Sequence, residues 1–342
     1  MRGLTTWEYS VATEASRILQ ITHQTYVGFY KSHGFYVLPK NIKSKVQNII
    51  ILPKFEYHSI PKFWKRVAKI NIYSRPAIIA EDLQKDFEDY LKNIDLDKPN
   101  FEKIKETWQR AEEDIIKTIY EILPTKRDSI KKITIYPTKS GSGCSFDWDN
   151  KGNFMLNLRD DQGIYQIVEG LISALTRDDV YQKLNGLWQE SEIIADFLIT
   201  QTKLANVLQR YETIENYIPT IKGTRLKDTG NLSKLSDDYY KKLNIPNFNN
   251  PFSLNGLTPE VNKKLIQNLT QNEKQIMYLL IKKSNNIVTF DQISDIIFVN
   301  EEKFSLFALA KFIQRLREKL EKNGISGSFI QTLRGRGYLL KN

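Results

Sequence analysis

Apolar and polar positions alternate most regularly near the carboxyl end of the chain. Leu309, Ile313, Leu316 and Leu320 recur at steps of four, three and four residues, the period of a helix with one face against a core. On a helical wheel the opposite face carries Lys311, Gln314, Arg315, Glu318 and Lys322, with Arg317 on its flank. This predicts a helix over 303–323, closed by Asn323-Gly324 because glycine accepts the left-handed conformation that ends a helix. A hairpin over 328–340 follows. Phe329, Gln331 and Leu333 alternate with Ile330 and Thr332, Arg334-Gly-Arg-Gly337 turns the chain, and Tyr338-Leu-Leu340 returns. Upstream, Thr270 and Glu273 have capping-box spacing ahead of Ile276, Leu279 and Leu280. Thr289 is placed to cap a short helix from Phe290.

The amino-terminal pattern is more mixed. A helix is expected over Thr6 to Tyr30, a short strand over Val46 to Leu52, and helices over Pro61 to Ile70, Ala80 to Leu91 and Asn100 to Leu123. The last has Phe101, Ile104, Trp108, Ile115, Ile119 and Ile122 inward, and Pro124 ends it. Strands are expected over Ile130 to Tyr136, Gly143 to Trp148 and Asn153 to Leu158, with turns at Gly141-Ser-Gly143 and Asp149-Asn-Lys-Gly152. Two long helices then run over Gln162 to Thr176 and Lys183 to Arg210. Tyr211 to Thr258, broken by Gly223, Gly230, Pro246, Pro251 and Gly256, reads as a connection with a short helix near Leu235 to Leu243. The fold class expected is α+β: a mixed helical domain with a small sheet over 1–210, a linker over 211–257 and a winged helix-turn-helix domain over 258–342.

Composition narrows what such a chain can do. With 342 residues and 41% hydrophobic side chains, two or three domains are expected, with ample chain to bury a core. The formal charge is +10, a balance suited to polyanions. Residues 258–342 hold 14 Lys+Arg against 8 Asp+Glu, so more than half of the excess lies in about a quarter of the length. The one cysteine, Cys144, cannot form an intrachain disulfide and suits a reducing cytoplasm. No apolar run is long enough for a membrane span, and Met-Arg-Gly-Leu does not open a signal peptide.

A cationic helix followed by an arginine-tipped ribbon has an obvious use on a duplex. The helix fits the major groove, where Arg forks onto guanine and Gln onto adenine. The Gly-Arg loop reaches phosphate or the minor groove. The same face is also what an ordinary solvated helix presents. Three motifs decide between them: Leu-Thr-x-x-Glu at 269–273, Ile-x-Arg-Leu-Arg-x-Lys-Leu-Glu at 313–321 and Ile-Gln-Thr-Leu-Arg-Gly-Arg-Gly-Tyr at 330–338. In that order and spacing they resemble the winged-helix effector domain of the OmpR/PhoB type, over roughly 266–342. The resemblance implies a recognition helix at 303–323 with Lys311, Gln314 and Arg315 at or near bases. It places Arg317, Arg334 and Arg336 near the backbone or minor groove, and Thr332 joins them on the wing as a DNA-binding residue. Double-stranded DNA, RNA polymerase and a second copy of the chain are the partners expected, with no cofactor and no catalysis. Two departures stand out. The small sheet that opens this domain is not expected, because Asn244 to Pro259 is rich in Asn and Pro, and Ala308, Ala310 and Phe312 occupy positions where relatives carry polar readers.

Residues 100–210 also resemble a zincin-type metallopeptidase core in their order of long helix, sheet, helix and helix. In that family two His at i and i+4 hold zinc while a Glu activates water. Here the helix reads Gln166-Ile-Val-Glu169-Gly-Leu-Ile-Ser173, and Glu192 and Asp196 lie on the next. The only histidines, His23, His33 and His58, are elsewhere. Glu192 and Asp196 are therefore expected as a polar flank of a buried helix, and a metal-dependent hydrolase or an inactive peptidase-fold interaction module is the alternative reading. A phosphoacceptor receiver is not expected, since the chain opens on a helix rather than a strand leading into paired acids.

Overall fold

A computed structural model describes residues 3–341 apart from 43–47, 73, 75–76, 150, 185, 187, 214–216, 218–230, 246–250, 298–304 and 334. It divides into two compact units, Met1–Thr22 with Phe35–Tyr239, and His23–Gly34 with Tyr240–Asn342. Helices and strands mix in both, so the α+β class is observed. Among the described residues no helix is long and apolar enough to cross a membrane.

The chain starts with strand β1 (Thr5–Trp7), then helix α1 (Val11–Tyr26) and the single turn α2 (Phe29–Ser32). A strand at Thr5–Trp7 corrects the helix expected from Thr6; three residues are too few for periodicity to register. Strands β2 (Tyr36–Leu38) and β3 (Ile49–Ile51) form a parallel pair. Helix α3 covers only Phe63–Val67, while α4 (Glu81–Lys92) and α5 (Glu102–Ile122) match the amphipathic periods.

Next come β4 (Lys132–Thr138), β5 (Cys144–Trp148) and β6 (Asn153–Arg159). The sheet order is β1-β4-β6-β5, with β1, β4 and β6 parallel and β5 antiparallel on the edge. Of these three strands, β5 and β6 pair as a hairpin. Gly141 does not turn between paired strands as expected, because β6 inserts beside β4 in the register Lys132↔Asn153 to Thr138↔Arg159. Ile104, Trp108, Ile115 and Ile119 of α5 pack in one core with Ile133, Ile135 and Leu156 of the sheet. Trp108 Nε1 donates to Thr5 Oγ1 at 2.8 Å, and Thr5 Oγ1 donates to Glu112 Oε1 at 2.6 Å, which ties the first strand to that helix.

Helix α6 (Ile164–Asp178) is buried along most of its length. The single helix expected over Lys183 to Arg210 is two, α7 (Trp188–Thr200) and α8 (Lys203–Gln209), because Thr202 caps the second by accepting from Leu204 N at 3.2 Å. Within 211–257, Leu232–Leu243 forms α9. Ser236 Oγ accepts from Val37 N at 3.0 Å, and Tyr239 donates to Leu52 O at 2.7 Å. Part of the expected linker is thus packed structure.

The second unit contains a sheet that the Asn- and Pro-rich sequence hid. Strands β7 (Phe252–Asn255), β8 (Thr258–Val261) and β9 (Lys264–Leu265) pair antiparallel. Asn255 and Thr258 face each other across a two-residue turn containing Gly256 at φ 61°, so the breakers form the turn and leave the strands intact. Helices α10 (Gln271–Lys282), α11 (Phe290–Ile297) and α12 (Leu306–Lys322) follow. Strand β10 (Ile287–Thr289) lies between the first two, and β11 (Ile330–Leu333) and β12 (Gly337–Leu340) close a sheet of order β10-β12-β11. Phe252, Ile276, Leu280, Ile293, Leu309, Ile313, Leu316 and Tyr338 share one core. Gly337 is required where β12 passes β10. Its φ is 147°, and a Cβ would sit 2.1 Å from Val288 O.

Candidate nucleic-acid interface

Helix α12 is the element on which the candidate site is built. Ser305 caps it, accepting from Ala308 N at 3.0 Å, as a serine N-cap does. Asn323 closes it, its Nδ2 donating to Lys319 O at 2.7 Å. Residues 303 and 304 of the expected span lie outside the described residues. Leu309, Ile313, Leu316 and Leu320 are fully buried, and the face opposite is set by that registry. Lys311, Gln314 and Arg315 are exposed, as are Glu318 and Lys322. Gln314 Nε2 donates weakly to Glu318 Oε1 at 3.4 Å. Among the described residues no carboxylate is within ion-pair distance of Lys311 or Arg315. Their spacing of four puts them about 6 Å apart along the helix.

The helix is fixed from behind. Thr270 caps α10, its Oγ1 accepting from Glu273 N at 3.4 Å, while Glu273 Oε2 accepts from Thr270 N at 2.6 Å. The same carboxylate oxygen accepts from Lys319 Nζ at 2.6 Å. Burial works against the Glu273 charge, but Lys319 and the Thr270 hydrogen bonds outweigh it and hold the carboxyl below its ordinary range. Thr289 and Gln292 reciprocate at the start of α11, at 3.3 and 3.2 Å.

Arg317 is placed differently from the other cations. Its Nε and Nη2 donate to Ile330 O at 2.9 and 2.7 Å, and Nη2 donates to Thr332 Oγ1 at 2.9 Å. Burial pushes the guanidinium pKa down, though Tyr338 and Glu321 favour its charge; an arginine stays protonated regardless. Its donors face the hairpin, so Arg317 and Thr332 together join α12 to β11. At the tip, Arg336 is exposed and its N–H donates to Leu333 O at 2.9 Å, closing the turn over Gly335 at φ 70°. Arg334 lies outside the described residues.

The sequence did not point to the exposed start of α12, where Leu306 and Phe307 are 56% and 70% exposed. Nor did it show that Gln331, next to Thr332, donates to Ser32 O at 2.8 Å. No periodicity in either stretch connects positions so far apart.

The acidic residues of the first unit also depart from expectation. Glu192 is not a polar flank: it is buried, and Arg177 Nη2 donates to it at 2.5 Å. Ile193 and Phe197 are exposed on the same helix. Burial raises the Glu192 pKa against the opposing effect of Arg177. Glu169 and Asp196 are electrostatic neighbours of the buried Tyr217. Among the described residues no three His, Cys, Asp or Glu side chains form a group that could hold a metal ion.

Residues 264–340 match the family model described as the C-terminal domain of transcriptional regulatory proteins, the OmpR/PhoB-type DNA-binding domain. The match covers α10, α11, α12 and the hairpin, and begins after β8. No curated protein matches the chain.

Proposed function

We propose that the chain is a sequence-specific regulator of transcription that reads double-stranded DNA with α12 and anchors on it with the β11–β12 hairpin. The observation that carries this reading is the exposed row Lys311, Gln314 and Arg315 on a helix whose opposite face is locked into the core. That row stands on the matched DNA-binding domain. A helix with this face outward enters a major groove about 12 Å wide. There Arg315 forks onto guanine O6 and N7, Gln314 pairs with an adenine edge, and Lys311 supports either. Arg336, with Arg334 two positions before it in the sequence, takes phosphate or the minor groove and sets register without reading sequence. Arg317 and Thr332 position the wing from within.

One recognition helix covers few base pairs, so two copies on adjacent half-sites are the assembly that gives useful specificity. The first unit supplies regulation rather than catalysis in this reading, RNA polymerase is the partner downstream, and the cytoplasm is the compartment. Selection of bound sequences from a random duplex pool tests the proposal. One enriched motif supports it; recovery of unselected sequence contradicts it.

A further inference from the structure

The second unit contains a piece from the other end of the chain. His23–Gly34 belongs to it, some three hundred positions upstream of the hairpin. The joints are specific. Ser326 N donates to Val27 O at 2.9 Å, Gln331 Nε2 donates to Ser32 O at 2.8 Å, and Lys341 Nζ donates to Lys31 O at 3.0 Å. The last two acceptors are carbonyls at the carboxyl end of α2, which a short helix leaves partly unsatisfied and which favour a nearby cation. Burial of Lys341 and the nearby Lys31 charge depress its pKa. The hydrogen bond to Lys31 O opposes that cost and fixes the amine there. Gly28 completes the fit. It sits at φ 75°, and a Cβ there would lie 2.5 Å from the ring of Phe329, which meets Phe252 edge-on at 5.5 Å.

Strand β11 is thus gripped twice. Arg317 bonds Ile330 O and Thr332 Oγ1, while the intervening Gln331 bonds Ser32. Neighbouring side chains on a strand point to opposite faces, so the two attachments hold the hairpin from opposite sides. Lys341, directly after β12, adds a third point.

We propose that His23–Gly34 is a clasp that positions the wing, with Gln331 and Lys341 as positioning residues for the Arg336 contact to DNA. The placement of the wing tip then depends on an amino-terminal segment as well as on the recognition helix. The effect on DNA rests on the function proposed above; the clasp itself does not.

The test uses the full chain carrying Gln331→Leu with Lys341→Met, and separately Gly28→Val, each combined with Arg336→Ala and with Arg315→Ala. In the parent, Arg336→Ala lowers duplex affinity several-fold. In the clasp variants the same change has less than about a twofold effect, the usual limit of additivity, while Arg315→Ala keeps its full effect. Additive losses at 336 overturn the proposal. Hydrogen exchange reads the clasp without DNA. Amides of β11 and β12 should exchange about tenfold faster in the double variant, with α10 and α12 unchanged. Equal wing exchange overturns the clasp whether or not the parent binds a duplex. Faster wing exchange in the double variant, with a parent that binds no duplex, keeps the clasp and removes the DNA reading.

Discussion

Lys319 of α12 donates to the buried carboxylate of Glu273 at 2.6 Å, and that carboxylate also closes the capping box of α10. One side chain therefore starts one helix and orients another. Because the folded carboxyl titrates below its ordinary range, its contribution is complete above the unfolded value of about 4.3. It is lost as pH falls through the lower folded value. Glu273→Gln should cost about 2 kcal/mol at neutral pH, since Lys319 keeps some access to water. Denaturant unfolding of the second unit measures this, and the variant should show less acid sensitivity than the parent. An unchanged acid limb contradicts it.

Arg317→Lys tests whether the guanidinium fork matters beyond its charge. A lysine cannot reproduce the planar fork that sets Nε and Nη2 on Ile330 O and Nη2 on Thr332 Oγ1. Weaker binding to cognate and random duplex alike is expected, with a flatter dependence on salt. A loss confined to the cognate site would instead make Arg317 a base reader.

His33 gives a titration that NMR can follow directly. Burial lowers its pKa to about 4, against a Phe29 carbonyl contact that opposes the shift and a Lys341 charge that adds to it. Between the ordinary 6.5 and about 4 the unfolded chain binds a proton that the folded chain refuses. Stability should therefore fall with pH across that window and level off below it, by on the order of 2–3 kcal/mol. The His33 ring resonance should have its midpoint near 4. A midpoint near 6.5 contradicts the lowered value.

Gly337→Ala places a Cβ against Val288 O and should cost roughly 2–4 kcal/mol by separating β10 from β12. Circular dichroism melts of the full chain should show the second unit's transition shift while the first unit's stays. Equal melting would mean the backbone relaxes at no cost.

The second unit was legible in the sequence because its determinants are local. Helix α12 announces itself through four apolar residues at helical spacing, and Thr270 with Glu273 through a three-residue interval. Its opening sheet was not, because strands of two to four residues around Pro251, Gly256 and Pro259 leave no readable alternation. Arg317 was legible as a cation on the helix flank, but its bonds to the hairpin were not, since nothing in spacing says that Ile330 O lies within its reach. Glu192 failed for the related reason that its partner Arg177 lies on another helix. The clasp from Gly28 to Lys341 is the extreme case, a set of contacts spanning nearly the whole chain.

The central claim is that α12 reads base edges and the hairpin does not. It is tested most directly by the affinity of Arg315→Ala and Arg336→Ala for the selected duplex and for a scrambled one, each across a salt series. Arg315→Ala should cost about 1–3 kcal/mol on the selected duplex and far less on the scrambled one, while Arg336→Ala weakens both and lowers the salt slope by about one. Equal losses on both duplexes for Arg315→Ala contradict the account.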